Sequence, residues 1–113
     1  MSLSLVENLF KEHGYSTEVS GEIKGLSGVF HKFDLIARRG DSTLCISFLK
    51  ENFHVEFVVN FVRSIDLKSV TVIFLVREED VKGKVCSTKN FRILVYRSVD
   101  DLVTRLKELI NCL

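Results

Sequence analysis

The stretch Val70–Val76 limits this chain more than any other feature: it reads as a short apolar strand, and its Val72–Val76 part, the longest apolar run, is far too short to span a bilayer. Its pattern is that of a central parallel strand covered on both faces. The strand read over Thr43–Lys50 is also mostly apolar and needs cover on both sides. Helices able to supply that cover are visible at both ends. Leu5, Val6, Leu9 and Phe10 fall at helical spacing within Leu3–His13, with Gly14 placed to stop the helix. Val99–Leu113 closes the chain as a second helix, with Ser98 as its cap and Asp100 and Asp101 in its first turn.

Between these elements, Tyr15–Lys24 alternates loosely, is rich in β-formers and ends at Gly25. Gly25-Leu26-Ser27-Gly28 is a turn by composition. Val29–Arg38 reads as a second strand, and Gly40-Asp41 as the hairpin turn into the third. Residues Asn52–Leu67 carry strong β propensity, yet their length and position suit a helix. Val55, Val58, Val59 and Val62 fall on one helical stripe, and Phe53, Phe57 and Phe61 keep helical spacing as core. Arg77–Asn90 is polar and irregular, with room for a short helical turn, and Phe91–Tyr96 is the last strand. The order α-β-β-β-α-β-β-α, a meander followed by alternating elements, predicts an α/β fold. It implies a central mixed five-stranded sheet flanked by helices in three layers.

At 113 residues the chain has room for one domain, 1–113, and no proline or low-complexity linker divides it. An apolar fraction of 46% against 27% charged argues for a folded core and against disorder. The net charge of +1 means that any nucleic-acid surface must come from uneven distribution of charge. Cys45, Cys86 and Cys112 are odd in number and form no CxxC pair, so they read as reduced thiols in a cytoplasmic protein. Glu7 and Lys11 interrupt the first helical pattern, which lacks the architecture of a secretory signal, and no membrane association is expected.

Chemistry concentrates in residues 25–50. An aspartate within an apolar strand is costly unless it is paired or bound to metal, and Asp34 lies between Phe33 and Leu35. Across the Gly40 hairpin the next strand ends in Lys50, so two adjacent strands present a carboxylate and an ammonium near one end of a sheet.

A glycine-rich turn, the His31-x-x-Asp34 strand, a hairpin and a strand ending in Lys50 resemble the core of the PD-(D/E)xK restriction-endonuclease-like superfamily, especially its Mrr-like and small archaeal branches. The resemblance runs from about Leu5 to Val76, and its motif is short and degenerate. It implies a restriction-endonuclease-like fold, Mg²⁺ or Mn²⁺ held in part by Asp34, and Lys50 as the lysine that positions or activates water. A hard, oxygen-ligated cation suits phosphodiester hydrolysis because it stabilises developing phosphate charge. The glutamate of E-x-K would stand two residues before Lys50, where the chain has Phe48. Glu51 and Glu56 are candidate displaced acids, and Glu7 resembles an accessory acid found in some members.

Each residue also has a structural reading. Asp34 can pair with Lys50 or Lys32 to stabilise the sheet, and Lys50 can be a solvated strand end. His31 alternates to the face opposite Asp34 and reads as structural, while Gly25 and Gly28 serve turn geometry. Lys24, Lys32, Arg38 and Arg39, against Glu22 and Asp34, form a candidate phosphate-binding patch or merely a solvated strand pair. The expected function is a nuclease-fold protein that binds nucleic acid, DNA foremost, with metal-dependent phosphodiesterase activity weak or lost. The alternatives are an active Mg²⁺-dependent endonuclease with a displaced second acid, or a non-catalytic homodimerising module. That module would use Phe91–Tyr96 and the apolar face of Val99–Leu113, a surface that ordinary packing would instead bury as core.

Overall fold

The computed structural model describes residues 2–83 and 87–112; Cys86, expected as a reduced thiol, lies outside them. In chain order come α1 (Ser2–Glu12), β1 (Ser16–Val19), β2 (Glu22–Lys24), β3 (Phe30–Lys32), β4 (Leu35–Arg39) and β5 (Ser42–Phe48). They are followed by α2 (Phe53–Asp66), β6 (Thr71–Arg77), a 3₁₀ turn at Glu78–Asp80, β7 (Phe91–Tyr96) and α3 (Val99–Cys112). One five-stranded sheet has the order β1-β4-β5-β6-β7. Its β1–β4 and β4–β5 pairs are antiparallel, whereas β5–β6 and β6–β7 are parallel, so the sheet is mixed.

Both faces are covered, as the apolar runs demand. Val6, Leu9 and Phe10 of α1 and Leu102, Leu106 and Ile110 of α3 pack on Leu35, Leu44, Ile46, Ile73 and Leu75. On the other face Phe53 of α2, with Phe57 and Phe61 beside it, meets Ile36, Cys45, Val72, Phe74 and Phe91. The result is a three-layer α/β fold. The apolar face of α3 is buried in this packing, which removes it as a free surface for self-association.

Two of the expected strands each break in two. The stretch Tyr15–Lys24 bends at Ser20-Gly21, where Ser20 has φ 54°, and Val29–Arg38 bends at Phe33-Asp34. The distal halves, β2 and β3, pair with one another as a separate ribbon. Bonds from Ser20 N–H to the Asp34 carbonyl (3.0 Å) and from Phe33 N–H to the Gly21 carbonyl (3.0 Å) carry the ladder across the bend. The ribbon can therefore turn toward α2, packing Ile23 against that layer, without orphaning backbone groups.

Helix termini follow the local sequence. Asn52 caps α2, its side chain accepting the Val55 N–H at 3.0 Å, and Ser98 Oγ accepts the Asp101 N–H at 3.2 Å at the start of α3. Asn90 donates to the carbonyls of Ser64 (2.6 Å) and Leu67 (3.3 Å), closing the end of α2 from across the fold. Among the described residues no helix is long and apolar enough to cross a membrane.

Candidate functional site: the cleft beside Asp34

The bend between β3 and β4 places Asp34 beside the end of β5. Its Oδ2 accepts the Phe48 N–H at 2.8 Å and lies 2.7 Å from Lys50 Nζ. The two residues singled out by sequence thus meet, as an ion pair that also fixes the end of a strand. The pair opens on a cleft of about 540 Å³ lined by Lys32, Asp34, Ser47, Lys50, Glu56 and Arg63, among others.

Phe48 does not face this cleft. It packs with the α1/α3 layer, while Ser47 lines the cleft beside Asp34. The geometry of β5 explains the difference. Leu35 pairs with Ile46, so one step further along the ladder Asp34 stands opposite Ser47, and successive side chains alternate in face. The regular strand ends at Phe48, so counting back two residues from Lys50 crosses out of the strand period. The side chain standing where a second acid would face Asp34 is therefore Ser47.

The two candidate displaced acids differ. Glu56 turns back over the start of α2 and accepts the N–H groups of Lys50, Glu51 and Asn52, each at 2.8 Å. Burial pushes its carboxyl pKa up, but these three bonds and the Lys50 charge outweigh it and hold the group below its usual range. Glu51 is exposed at the rim of the same cleft. Glu7 sits on the other face of the sheet, where it accepts from Thr17 Oγ1 (3.0 Å) and meets Lys11 Nζ (3.4 Å). Among the described residues no three His, Cys, Asp or Glu side chains converge as a metal-binding group. Asp34 is engaged by Lys50 and a backbone N–H, and Glu56 by three N–H groups, so both carboxylates are committed here to partners within the chain.

The cleft also holds Arg63, which the sequence reading passed over. Its guanidinium lies 5.1 Å from the centre of the Phe33 ring, with Nη1 3.5 Å from Asn60 Oδ1. Burial draws its pKa down, and the Asp34 charge opposes that shift. A signal was available: Glu56 and Arg63 lie seven residues apart, two helical turns on one side of α2. Among the described residues neither Lys32 nor Arg63 is paired with a carboxylate.

The candidate basic patch does not assemble around this cleft. Of its members only Lys32 lines it. Lys24 lies 6.0 Å from the centre of the Phe30 ring on the ribbon. Arg38 pairs with Glu18 at 3.3 Å, and Arg39 donates to the His13 carbonyl at 2.8 Å and covers the Tyr15 ring. These two stand at the far end of β4, about 14 and 17 Å from Asp34 at the rise of a strand.

His31 has a structural partner. Its Nε2 lies 2.7 Å from Asp66 Oδ2, and the same carboxylate accepts Ser27 N–H and Ser27 Oγ–H, both at 2.8 Å. These bonds, led by that to His31, hold the Asp66 carboxyl below its usual pKa. The group pins the ribbon's turn to the last residue of α2. Gly25 suits this turn, because a Cβ there would collide with the Asp66 carboxylate that Ser27 and His31 hold in place.

No protein-family model matches the chain, and no curated protein sequence matches it. Among solved structures it is similar to the crystal structure of AF1548, a protein of unknown function, with a TM-score of 0.55 and 15% identity over 83% of this chain. This chain spans 57% of the length of that one. At such identity the likeness supports the α/β fold alone.

Proposed function

We propose that this chain is a restriction-endonuclease-like domain that binds the backbone of nucleic acid, DNA foremost, in the Asp34 cleft, with hydrolysis weak or lost. The observation that carries the reading is the presence of two cations, Lys32 and Arg63, unpaired with carboxylates among the described residues, in a cleft whose Asp34 is already neutralised by Lys50. A phosphate entering the cleft would meet both cations and offset the desolvation of Arg63. Such contacts position a backbone and do not read sequence. The resemblance of the His31–Lys50 segment to nuclease cores gives the same direction.

The test is binding of duplex and single-stranded oligonucleotides as salt is varied. Lys32→Ala and Arg63→Ala should each weaken binding and reduce the salt slope by about 1. Failure of the wild-type chain to bind at low salt would remove the reading. Added Mg²⁺ or Mn²⁺ should give little or no nicking, and Asp34→Asn should abolish any that occurs. Robust cleavage dependent on Asp34, Lys50 and Glu51 would favour an active nuclease with a displaced acid.

A further inference from the structure

Helix α2 has two apolar faces, and the fold uses one. Phe53, Phe57 and Phe61 pack toward the sheet, with Asn60 and Ser64 buried on the same side. The outer face carries Val55, Val58, Val59, Val62 and Ile65, between 40% and 58% exposed. These five cover an arc of about 120°, and the charged residue of α2 that falls within it, Asp66 at the helix end, is engaged by Ser27 and His31. Leu26 and Val29, in the turn bonded to the Asp66 carbonyl through Leu26 N–H (2.9 Å), are exposed beside the helix end. Single exposed apolar side chains are ordinary, but a stripe along three helical turns marks an interaction surface.

We propose that this face of α2 pairs with the same face of a second copy, the two helices running antiparallel about a two-fold axis. A two-fold interface must be self-complementary, and apart from Val59 the stripe reads alike from either end. Reversed on itself, it sets Val55 of one copy beside Ile65 of the other, and Val58 beside Val62. The charges agree with this direction. Exposed Glu51 stands before the N-terminus of α2 and exposed Lys68 beyond its C-terminus, so the antiparallel pairing sets each glutamate level along the helix axis with the other copy's lysine. It also sets the helix dipoles head to tail, whereas a parallel pair would oppose like ends. A stable interface buries about 800 Å² per partner. The stripe supplies its apolar centre, and Leu26, Val29, His54, Glu51 and Lys68 are placed to form its rim. Val59 belongs both to the stripe and to the cleft lining, so the symmetry sets the two clefts on the same side of the dimer.

Sedimentation velocity on the full chain, from dilute to concentrated solution, tests the pairing. The wild type should show a concentration-dependent monomer–dimer equilibrium. Val58→Glu and Val62→Lys should each move its midpoint about tenfold or more toward higher concentration, for a loss of about 1.4 kcal/mol per decade. The double variant sets opposite charges against each other across the axis and should recover dimer. Val99→Glu, at an exposed site on α3 (52%), should change nothing. Circular dichroism checks that each variant keeps its fold, and Val58→Ser with Val62→Ser replaces any that does not. A wild type monomeric throughout would overturn the proposal, including one that instead floats with phosphatidylcholine vesicles. A dimer insensitive to both single variants would also overturn it, as would a double variant no better than either.

Discussion

The Asp34 carboxylate holds the end of β5 in two ways, by the Phe48 N–H at 2.8 Å and by Lys50 Nζ at 2.7 Å. The two bonds have different weight. Lys50 is 60% exposed, so its ion pair contributes about 1 kcal/mol or less. The backbone bond is half-sheltered, and leaving that N–H without an acceptor costs about 1–3 kcal/mol.

Asp34→Asn keeps an acceptor for Phe48 N–H, whereas Asp34→Ala removes it. Urea denaturation should therefore rank the variants wild type, then Asn, then Ala, with Ala lower than Asn by about 1 kcal/mol. Equal losses would mean that the charge pair, and not the backbone bond, is what matters. The same Asn variant should bind DNA at least as well as the wild type, because it frees Lys50.

Glu56 gathers three N–H groups at the start of α2, and its pKa is lowered in the fold. A carboxyl whose folded pKa is depressed adds stability above its unfolded value and loses it as pH falls through the folded one. Glu56→Gln should lower stability near neutrality by about 1 kcal/mol. It should also flatten the acid limb of the stability–pH curve, read as thermal midpoints across the carboxylate range. An acid limb unchanged from wild type would assign that limb to other carboxylates.

Gly25 and Gly28 separate two causes of glycine dependence. A Cβ at Gly28 would meet no atom within 4 Å, and the cost there arises from its φ of +89°, about 1 kcal/mol. At Gly25 the Cβ would collide with the Asp66 carboxylate that holds Ser27 and His31. Gly25→Ala should be the more damaging of the two by denaturant midpoint, and it should raise hydrogen exchange in β2 and β3.

Burial pushes the Cys45 thiol up to about 12, with Arg38 opposing weakly, so almost no thiolate exists near neutral pH. Cys112 is exposed on α3. Alkylation of the folded chain should label Cys112 and spare Cys45 until denaturant is added, as peptide mass spectrometry would record. Rapid labelling of Cys45 would mean that the β4–β5 region opens readily.

The sheet was legible because the apolar runs at Thr43–Lys50 and Val70–Val76 leave no other arrangement that covers both faces. The meeting of Asp34 and Lys50 was legible for a related reason: a two-residue hairpin fixes which ends of two strands lie together. Less visible was the bend at Ser20-Gly21 and Phe33-Asp34, since both halves of each strand keep β-forming residues and only the partner changes. The face of Ser47 depended on where β5 stops, and pattern alone does not locate a strand end to one residue. On α2, phenylalanine and valine stripes are both apolar. Burial of the phenylalanines followed from their size, but the exposure of the valines became evident only with the sheet in place.

The β2–β3 ribbon is held at its base by the ladder bonds around Ser20 and Phe33 and at its tip by Asp66. One wall of the cleft is thereby tied to α2, which forms the opposite wall. A jaw tied at both hinge and tip resists opening and closing. Any molecule entering such a cleft would meet preformed walls, and contact would cost the chain little ordering entropy.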